Sequence, residues 1–154
     1  MKIADIPFVT LIHATRCSAA DAVSVLNRQL VERGFTAPEY RDAVVERELV
    51  FPTGLPTVPP VAIPHADPDF VHQTAAALGI FREPIEFLEM GNPDNKLRVH
   101  LVFMLALTEK EAAVELLGQL TRVFRHSEDL YHLQAAQTAG EATTILNQMI
   151  KVIA

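Results

Sequence analysis

The sequence predicts an α/β fold in which a mixed central sheet is flanked by helices on both faces. Amphipathic helical patterns occupy the beginning and the end of the chain, whereas its middle carries short apolar runs typical of strands. One of these runs, Val99 to Ala106, is nearly all apolar without polar alternation, which indicates a central strand covered on both sides. Helices before and after such strands favour an α/β/α sandwich.

Two helices are predicted near the N-terminus. The first begins after Ser18, which with Asp21 forms a capping-box-like start, and it ends before Gly34. Its apolar residues recur at helical spacing: Ala22, Val23, Leu26, Leu30 and Val31. The second helix is predicted to begin at Thr36, which precedes Pro and Glu residues typical of a first turn, and to run to about Leu49.

The middle of the chain predicts strands, and its end predicts helices. Strands are expected at Val61–Ile63 and Ala75–Phe81, then a turn at Glu83-Pro84, a strand at Ile85–Leu88 and the central run already described. The three C-terminal helices are expected to start at Thr108, near Asp129 (ending near Ala136) and at Thr138.

The length and the net charge of the chain limit its possible functions. The 154 residues suit one domain spanning residues 1–154, and a net charge of −6 at pH 7 disfavours nucleic acid and suits a basic protein partner. The N-terminus lacks the apolar core of a signal peptide, and the single cysteine, Cys17, permits no internal disulfide, so we expect a cytoplasmic protein. The most apolar stretch is too short for membrane insertion.

His65 is the main candidate for chemistry. It follows an apolar run and Pro64, whose fixed φ and missing amide hydrogen end the strand, so its ring is expected at a sheet edge or end on rigid backbone. A neutral imidazole is nucleophilic near pH 7 and can hold a phosphoryl group as a covalent intermediate. The alternative is a histidine that merely caps a turn.

Arg47 is the second candidate. At helical spacing it shares a face with Tyr40 and Val44, at the end of a partly apolar stripe. The planar guanidinium matches phosphate oxygens. The alternative is a solvated arginine paired with a neighbouring carboxylate, which can be Asp42, Glu46 or Glu48.

Two other kinds of site have weaker support. His65 and Asp67 form an H-x-D pattern seen in metal-dependent hydrolases, but the remaining ligands that a metal needs are not indicated by the spacing of His72, Asp94 or His100. No Gly-rich phosphate loop occurs. We therefore predict neither a metal nor another cofactor.

Three short motifs resemble a known family. Arg47-Glu48, then Pro52-Thr53-Gly54-Leu55, then Ala62-Ile63-Pro64-His65 are similar to the IIA domains of the bacterial phosphoenolpyruvate-dependent sugar phosphotransferase system, mannitol/fructose class. The Phe-Pro-Thr-Gly spelling and the spacer that follows it are most similar to galactitol-type IIA proteins. The resemblance covers nearly the whole chain.

The resemblance implies the mannitol-type IIA fold and a role for each matched residue. His65 would be the phosphorylated nucleophile, taking its phosphoryl group from the carrier HPr and passing it to a cysteine of the IIB component during uptake of a polyol or sugar such as galactitol. Arg47 would stabilise the phosphoryl charge. Apolar residues around His65 would form the partner-binding surface: Leu55, Val58, Pro59 and Phe70.

Some residues depart from the family pattern, and the family includes more than one function. Mannitol-class members often carry a second histidine near the position of Ala113, and His100 would be its substitute if its strand faced the site. Asp67 would repel a phosphoryl group unless it points away or orients the ring. The nitrogen-type IIA proteins share the fold and the histidine but signal by binding other proteins, so a regulatory module is the alternative function.

Overall fold

A long antiparallel hairpin forms the centre of the molecule. The computed structural model describes residues 1–153, which form a five-stranded mixed sheet: β1 (Phe8–His13), β2 (Gly54–Leu55), β3 (Val61–Ala62), β4 (Ala75–Glu89) and β5 (Asn92–Ala106). The five α-helices are α1 (Ala19–Glu32), α2 (Tyr40–Val50), α3 (Ala112–Phe124), α4 (Ser127–Gln134) and α5 (Ala139–Ile153).

The hairpin strands β4 and β5 carry the remaining strands on their edges. β1 runs parallel to β4, with Phe8 opposite Ala76, and β3 runs parallel to β5, with Val61 opposite Leu101. β2 pairs antiparallel with β3 and meets the far end of β4 at Glu89. β5 therefore lies between β4 and β3, which confirms the central strand, although it begins seven residues earlier than the sequence predicts, in an exposed arm.

Helices cover both faces of the sheet, which confirms the predicted fold class. Alternate residues of β5 belong to different apolar clusters: Leu101 and Phe103 pack with α3, α4 and α5, whereas Val102 and Met104 pack with α1 and α2. Within residues 1–153, no helix is long and apolar enough to cross a membrane.

The predicted turn at Glu83-Pro84 is wrong, because β4 continues through it. The pairing with β5 shifts register between Ile80 and Ile85, so the extra residues form an irregularity within the strand. Such a site tolerates Pro84, which cannot donate a ladder hydrogen bond. His100 stabilises the same place, since its Nδ1 lies 2.7 Å from the Phe81 carbonyl oxygen.

The predicted limits of α1 are confirmed by its capping contacts. The Asp21 amide donates to Ser18 Oγ at 3.1 Å. At the other end Gly34 takes a φ of +77°, and the Phe35 amide donates back to the Leu30 carbonyl oxygen at 2.9 Å, as in a Schellman motif.

The starts of α2, α3 and α4 differ from those predicted. α2 begins four residues late because the Thr36 hydroxyl donates to Asn27 Oδ1 at 2.7 Å instead of capping a helix. α3 likewise begins at Ala112, since Thr108 Oγ1 bonds Thr74 Oγ1 at 3.0 Å. α4 begins two residues early, at Ser127. The start of α5 is as predicted: the Glu141 amide donates to Thr138 Oγ1 at 3.1 Å.

Candidate active site

His65 lies just beyond β3, beside the carboxyl end of the central strand. The Leu105 amide donates to the carbonyl oxygen of Pro64 at 3.0 Å, which ties the backbone before the histidine to β5. Pro64 is buried and His65 is half-buried. The ring is thus held by rigid backbone at the end of a short strand that borders the sheet centre, in agreement with the sequence prediction of its setting.

A backbone hydrogen bond fixes the tautomer of the His65 ring. Nδ1 lies 2.7 Å from the Ile63 carbonyl oxygen, and because a carbonyl oxygen only accepts, Nδ1 carries the hydrogen. The lone pair is therefore on Nε2. Burial lowers the pKa of His65; the bond to Ile63 and the Asp67 charge oppose this, and the Arg47 charge adds to it. The imidazole is neutral at pH 7, as a nucleophile requires.

Tyr40 joins α2 to the His65 segment. Its side chain is fully buried, and its hydroxyl donates to the Leu105 carbonyl oxygen at 2.6 Å while accepting from the Ala66 amide at 3.1 Å. Burial is the main cause that raises the pKa of Tyr40 to about 12, so the phenol keeps its proton. The sequence predicts Tyr40 only as a helix-face neighbour of Arg47, and these two hydrogen bonds were not predicted.

Replacing Tyr40 with phenylalanine is expected to lower the free energy of unfolding by about 1–3 kcal/mol, because a buried carbonyl oxygen and the Ala66 amide lose their partner. Urea unfolding followed by circular dichroism measures this. Tyr131→Phe is the matched control, since Tyr131 is 50% exposed and should change stability by less than about 0.5 kcal/mol. Equal effects of the two substitutions would contradict the bridging role.

Arg47 lies on α2, two turns after Tyr40, and its charge acts on the histidine. The guanidinium carbon is 5.4 Å from the centroid of the Phe51 ring, a cation–π geometry. Its charge lowers the pKa of both His65 and Tyr40. Within residues 1–153, Arg47 forms no ion pair within 4.0 Å, and Asp42 pairs with Arg41 instead. The predicted alternative, a solvated ion pair, is therefore not formed.

Of the four residues predicted to form the partner-binding surface, three are at least partly exposed and one is not. Val58 and Phe70 are exposed, and Leu55 is half-buried against the core beneath α3–α5. Pro59 is buried, so its assignment to the surface is wrong; the Thr57 hydroxyl donates to the Pro59 carbonyl oxygen in a tight turn that keeps this ring inside.

A larger apolar patch lies at the end of α2. Leu49, Val50 and Phe51 are 81%, 68% and 62% exposed and begin two residues after Arg47. This exposed patch could have been predicted from the sequence, because three consecutive apolar residues at a helix end cannot all face the core. We call these three residues the α2-end patch.

The departures from the family pattern are resolved in different ways. Ala113, half-buried at the start of α3, supplies no imidazole. His100 cannot replace one, since it precedes Leu105 on β5 by five residues, or about 17 Å. Asp67 is exposed and lies 3.9 Å from Lys110 Nζ, which partly neutralises its charge.

The metal-dependent hydrolase interpretation gains no support from the side-chain arrangement. In the part of the chain that the structure describes, no group of three His, Cys, Asp or Glu side chains is placed to hold a metal ion. Such a site needs at least three convergent ligands.

Both the sequence and the fold of the chain are similar to those of known proteins. The model of the family "Phosphoenolpyruvate-dependent sugar phosphotransferase system, EIIA 2" matches residues 8–149. The IIA mannitol protein of Escherichia coli superposes with a TM-score of 0.74 at 23% identity, over 89% of this chain and 94% of that one.

Two further known proteins are similar to this chain. The complex of enzyme IIA mannitol with phosphorylated enzyme IIB mannitol, also from Escherichia coli, matches with a TM-score of 0.73 at 21% identity, over 90% of this chain and 94% of that one. The transcriptional regulator ManR of Bacillus subtilis (strain 168) is 30% identical over 105 residues; the matched region is 68% of this chain and only 15% of that regulator. Since the family model spans nearly all of the chain, this protein belongs to the EIIA 2 family of the phosphoenolpyruvate-dependent sugar phosphotransferase system.

Proposed function

We propose that residues 1–154 act as a single cytoplasmic IIA domain, a phosphocarrier that accepts a phosphoryl group from HPr on His65 and passes it to a cysteine of the IIB component. The observation that carries the proposal is the neutral His65 ring, whose Nδ1–H is held by Ile63 and whose Nε2 lone pair lies within the field of Arg47. No cofactor is required.

The proposed chemistry needs only these two side chains. Nε2 attacks phosphorus as the bond to the donor breaks, and in the second step the IIB thiolate attacks while the N–P bond breaks. The transferred group carries roughly two negative charges, and the Arg47 guanidinium would stabilise charge on its equatorial oxygens. Nδ1 keeps its hydrogen throughout, so the ring leaves the second step in its original tautomer.

Support for each partner differs in kind. A IIB acceptor is supported by the similar Escherichia coli IIA, which forms a complex with phosphorylated IIB. HPr follows from the family resemblance. Galactitol, as the specific polyol, rests on the Phe51-Pro52-Thr53-Gly54 spelling and on the spacer between Gly54 and Ala62.

The α2-end patch, together with Val58, would form the partner-binding surface beside His65. A Phe51→Ser substitution is expected to raise the KM for phosphorylated HPr about tenfold, because central aromatic anchors contribute about 1–2 kcal/mol or more to binding. Steady-state transfer kinetics measure this. Val114→Ser is the matched control, since Val114 is 79% exposed on α3; a KM equal to that control would contradict the assignment.

A two-stage transfer assay tests the proposed function. The protein is incubated with enzyme I, HPr and labelled phosphoenolpyruvate, and purified IIB of the galactitol or mannitol type is then added. We expect label first on this chain and then on IIB. A chain that takes up no label would overturn the proposal.

A regulatory role is the second candidate, and the similarity to the transcriptional regulator ManR favours it. Such a domain would also be phosphorylated. It would, however, keep its label in the presence of IIB, and its phosphorylation would change its affinity for a regulated protein. The second stage of the assay separates the two roles.

A further inference from the structure

A buried carboxyl group holds the turn in front of the candidate site. Glu48 Oε1 accepts from both the amide and the hydroxyl of Thr53, at 3.1 and 2.9 Å. Its second oxygen, Oε2, is buried and makes no hydrogen bond within residues 1–153. A glutamate near the end of a helix ordinarily places its carboxylate in water. A buried carboxyl oxygen without a hydrogen bond therefore needs an explanation.

The turn held by Glu48 is connected to His65 through two further hydrogen bonds. The Ile63 amide donates to the Thr53 carbonyl oxygen at 3.3 Å, and the Ile63 carbonyl oxygen accepts from His65 Nδ1 at 2.7 Å. Thr53 thus lies between the carboxyl group and the residue that fixes the imidazole tautomer. Glu48 also follows Arg47 on α2, so its side chain joins the helix of the candidate cation to Thr53, which is linked to His65 through Ile63.

We propose that Glu48 is a positioning residue, which through Thr53 and Ile63 holds the His65 ring in register with Arg47 for phosphoryl transfer. This inference rests on the proposed function for its kinetic part only. It predicts that loss of the carboxyl group loosens the Ile63 amide and the His65 Nδ1–H bond, and that transfer slows without loss of donor binding.

The apolar surroundings of Glu48 shift its pKa. Apolar residues of α1 face it (Ala19, Ala20 and Val23), and on α2 it is flanked by Val45 and Leu49 around a small cavity of about 70 Å³. Arg47 is the charged group whose field acts on it. Burial raises the pKa of Glu48 to about 7, and the Thr53 hydrogen bonds and Arg47 oppose this rise.

We therefore expect the Thr53 amide chemical shift to titrate with a midpoint near pH 7 in the wild-type protein, because this amide donates directly to Oε1. In Glu48→Gln, a neutral isostere, the shift should stay flat over the same range. Burial lowers the pKa of His65, and a titration that comes from His65 would persist in Glu48→Gln, so this variant separates the two sources. An unchanged titration in Glu48→Gln would show that Glu48 is not its source.

The positioning role is tested by Glu48→Ala, with Glu46→Gln as the control on an exposed position of the same helix. In Glu48→Ala we expect faster hydrogen exchange of the Ile63 amide and a kcat for transfer lowered about 10–100-fold, with the KM for phosphorylated HPr unchanged, because small displacements of reacting groups carry such costs. Glu48→Gln, which keeps an acceptor for Thr53, should restore both readouts at pH 6. Glu46→Gln should match the wild type.

The outcomes separate this inference from the proposed function. Normal Ile63 exchange and normal kcat in Glu48→Ala would overturn it. If the wild-type chain takes up no label, the proposed function fails, while Ile63 exchange and the His65 Nδ1 proton signal still decide the positioning role. Should Glu48→Ala not fold, Thr53→Val keeps the amide donor but removes the hydroxyl, and a smaller change in the same direction is expected.

Discussion

His65→Ala is expected to take up no label from phosphoenolpyruvate, a loss of at least about a thousandfold relative to the wild-type rate. The reason is chemical: with the hydrogen on Nδ1, Nε2 carries the nucleophilic nitrogen lone pair of the imidazole, and alanine leaves no such acceptor for phosphorus. The measurement is incorporation of label at pH 7.5 with enzyme I and HPr in excess.

The matched control for this prediction is His72→Ala, an exposed histidine seven residues further along the chain. It should retain the wild-type rate. Label retained by His65→Ala would mean that another side chain accepts the phosphoryl group, and the site would have to be placed elsewhere. Because His65 is half-buried, the circular dichroism spectrum of the variant should be recorded, and an unchanged spectrum excludes unfolding as the cause.

Much of the fold could be predicted because its signals are local. The Ser18 cap, the Gly34 stop and the apolar run of β5 depend on a few neighbouring residues, and the structure has all three. The turn expected at Glu83-Pro84 failed because proline was interpreted as a chain reversal, whereas pairing along the whole of β5 keeps β4 extended through an irregularity.

In the candidate site, too, some features could be predicted from local sequence and others could not. His65 and Arg47 were predicted from short motifs and from the chemistry of their side chains, and they stay predictions. The contacts of Tyr40 and Glu48 could not be found so, because each joins segments far apart in sequence or depends on burial: the Tyr40 hydroxyl reaches Leu105 across 65 positions. Pro59 was misplaced for a related reason, since sequence near a histidine does not say which side chains of a tight turn face inward.

Arg47→Gln is expected to slow phosphoryl transfer to His65 by about 10²–10³-fold, the usual cost of removing one preorganised group that stabilises charge in a transition state. Arg47→Lys should recover only part of the rate, because a point charge replaces a planar donor that can bind two oxygens. Both are measured as single-turnover rates from phosphorylated HPr. Arg28→Gln, at an exposed position on α1, is the control and should leave the rate unchanged.

Arg47→Gln should also change the pH dependence of transfer, which the loss of a merely structural arginine would not do. Arg47 lowers the pKa of His65, so its removal must raise that pKa toward the ordinary histidine value. Transfer needs the neutral ring, so the transfer rate falls as pH drops through the His65 pKa. In Arg47→Gln this fall in rate should therefore occur at a higher pH. A titration of the His65 ring by NMR checks the shift directly. An unmoved pKa together with an unchanged rate would show that the guanidinium acts on neither the ring nor the phosphoryl group, and the site would then rest on His65 alone.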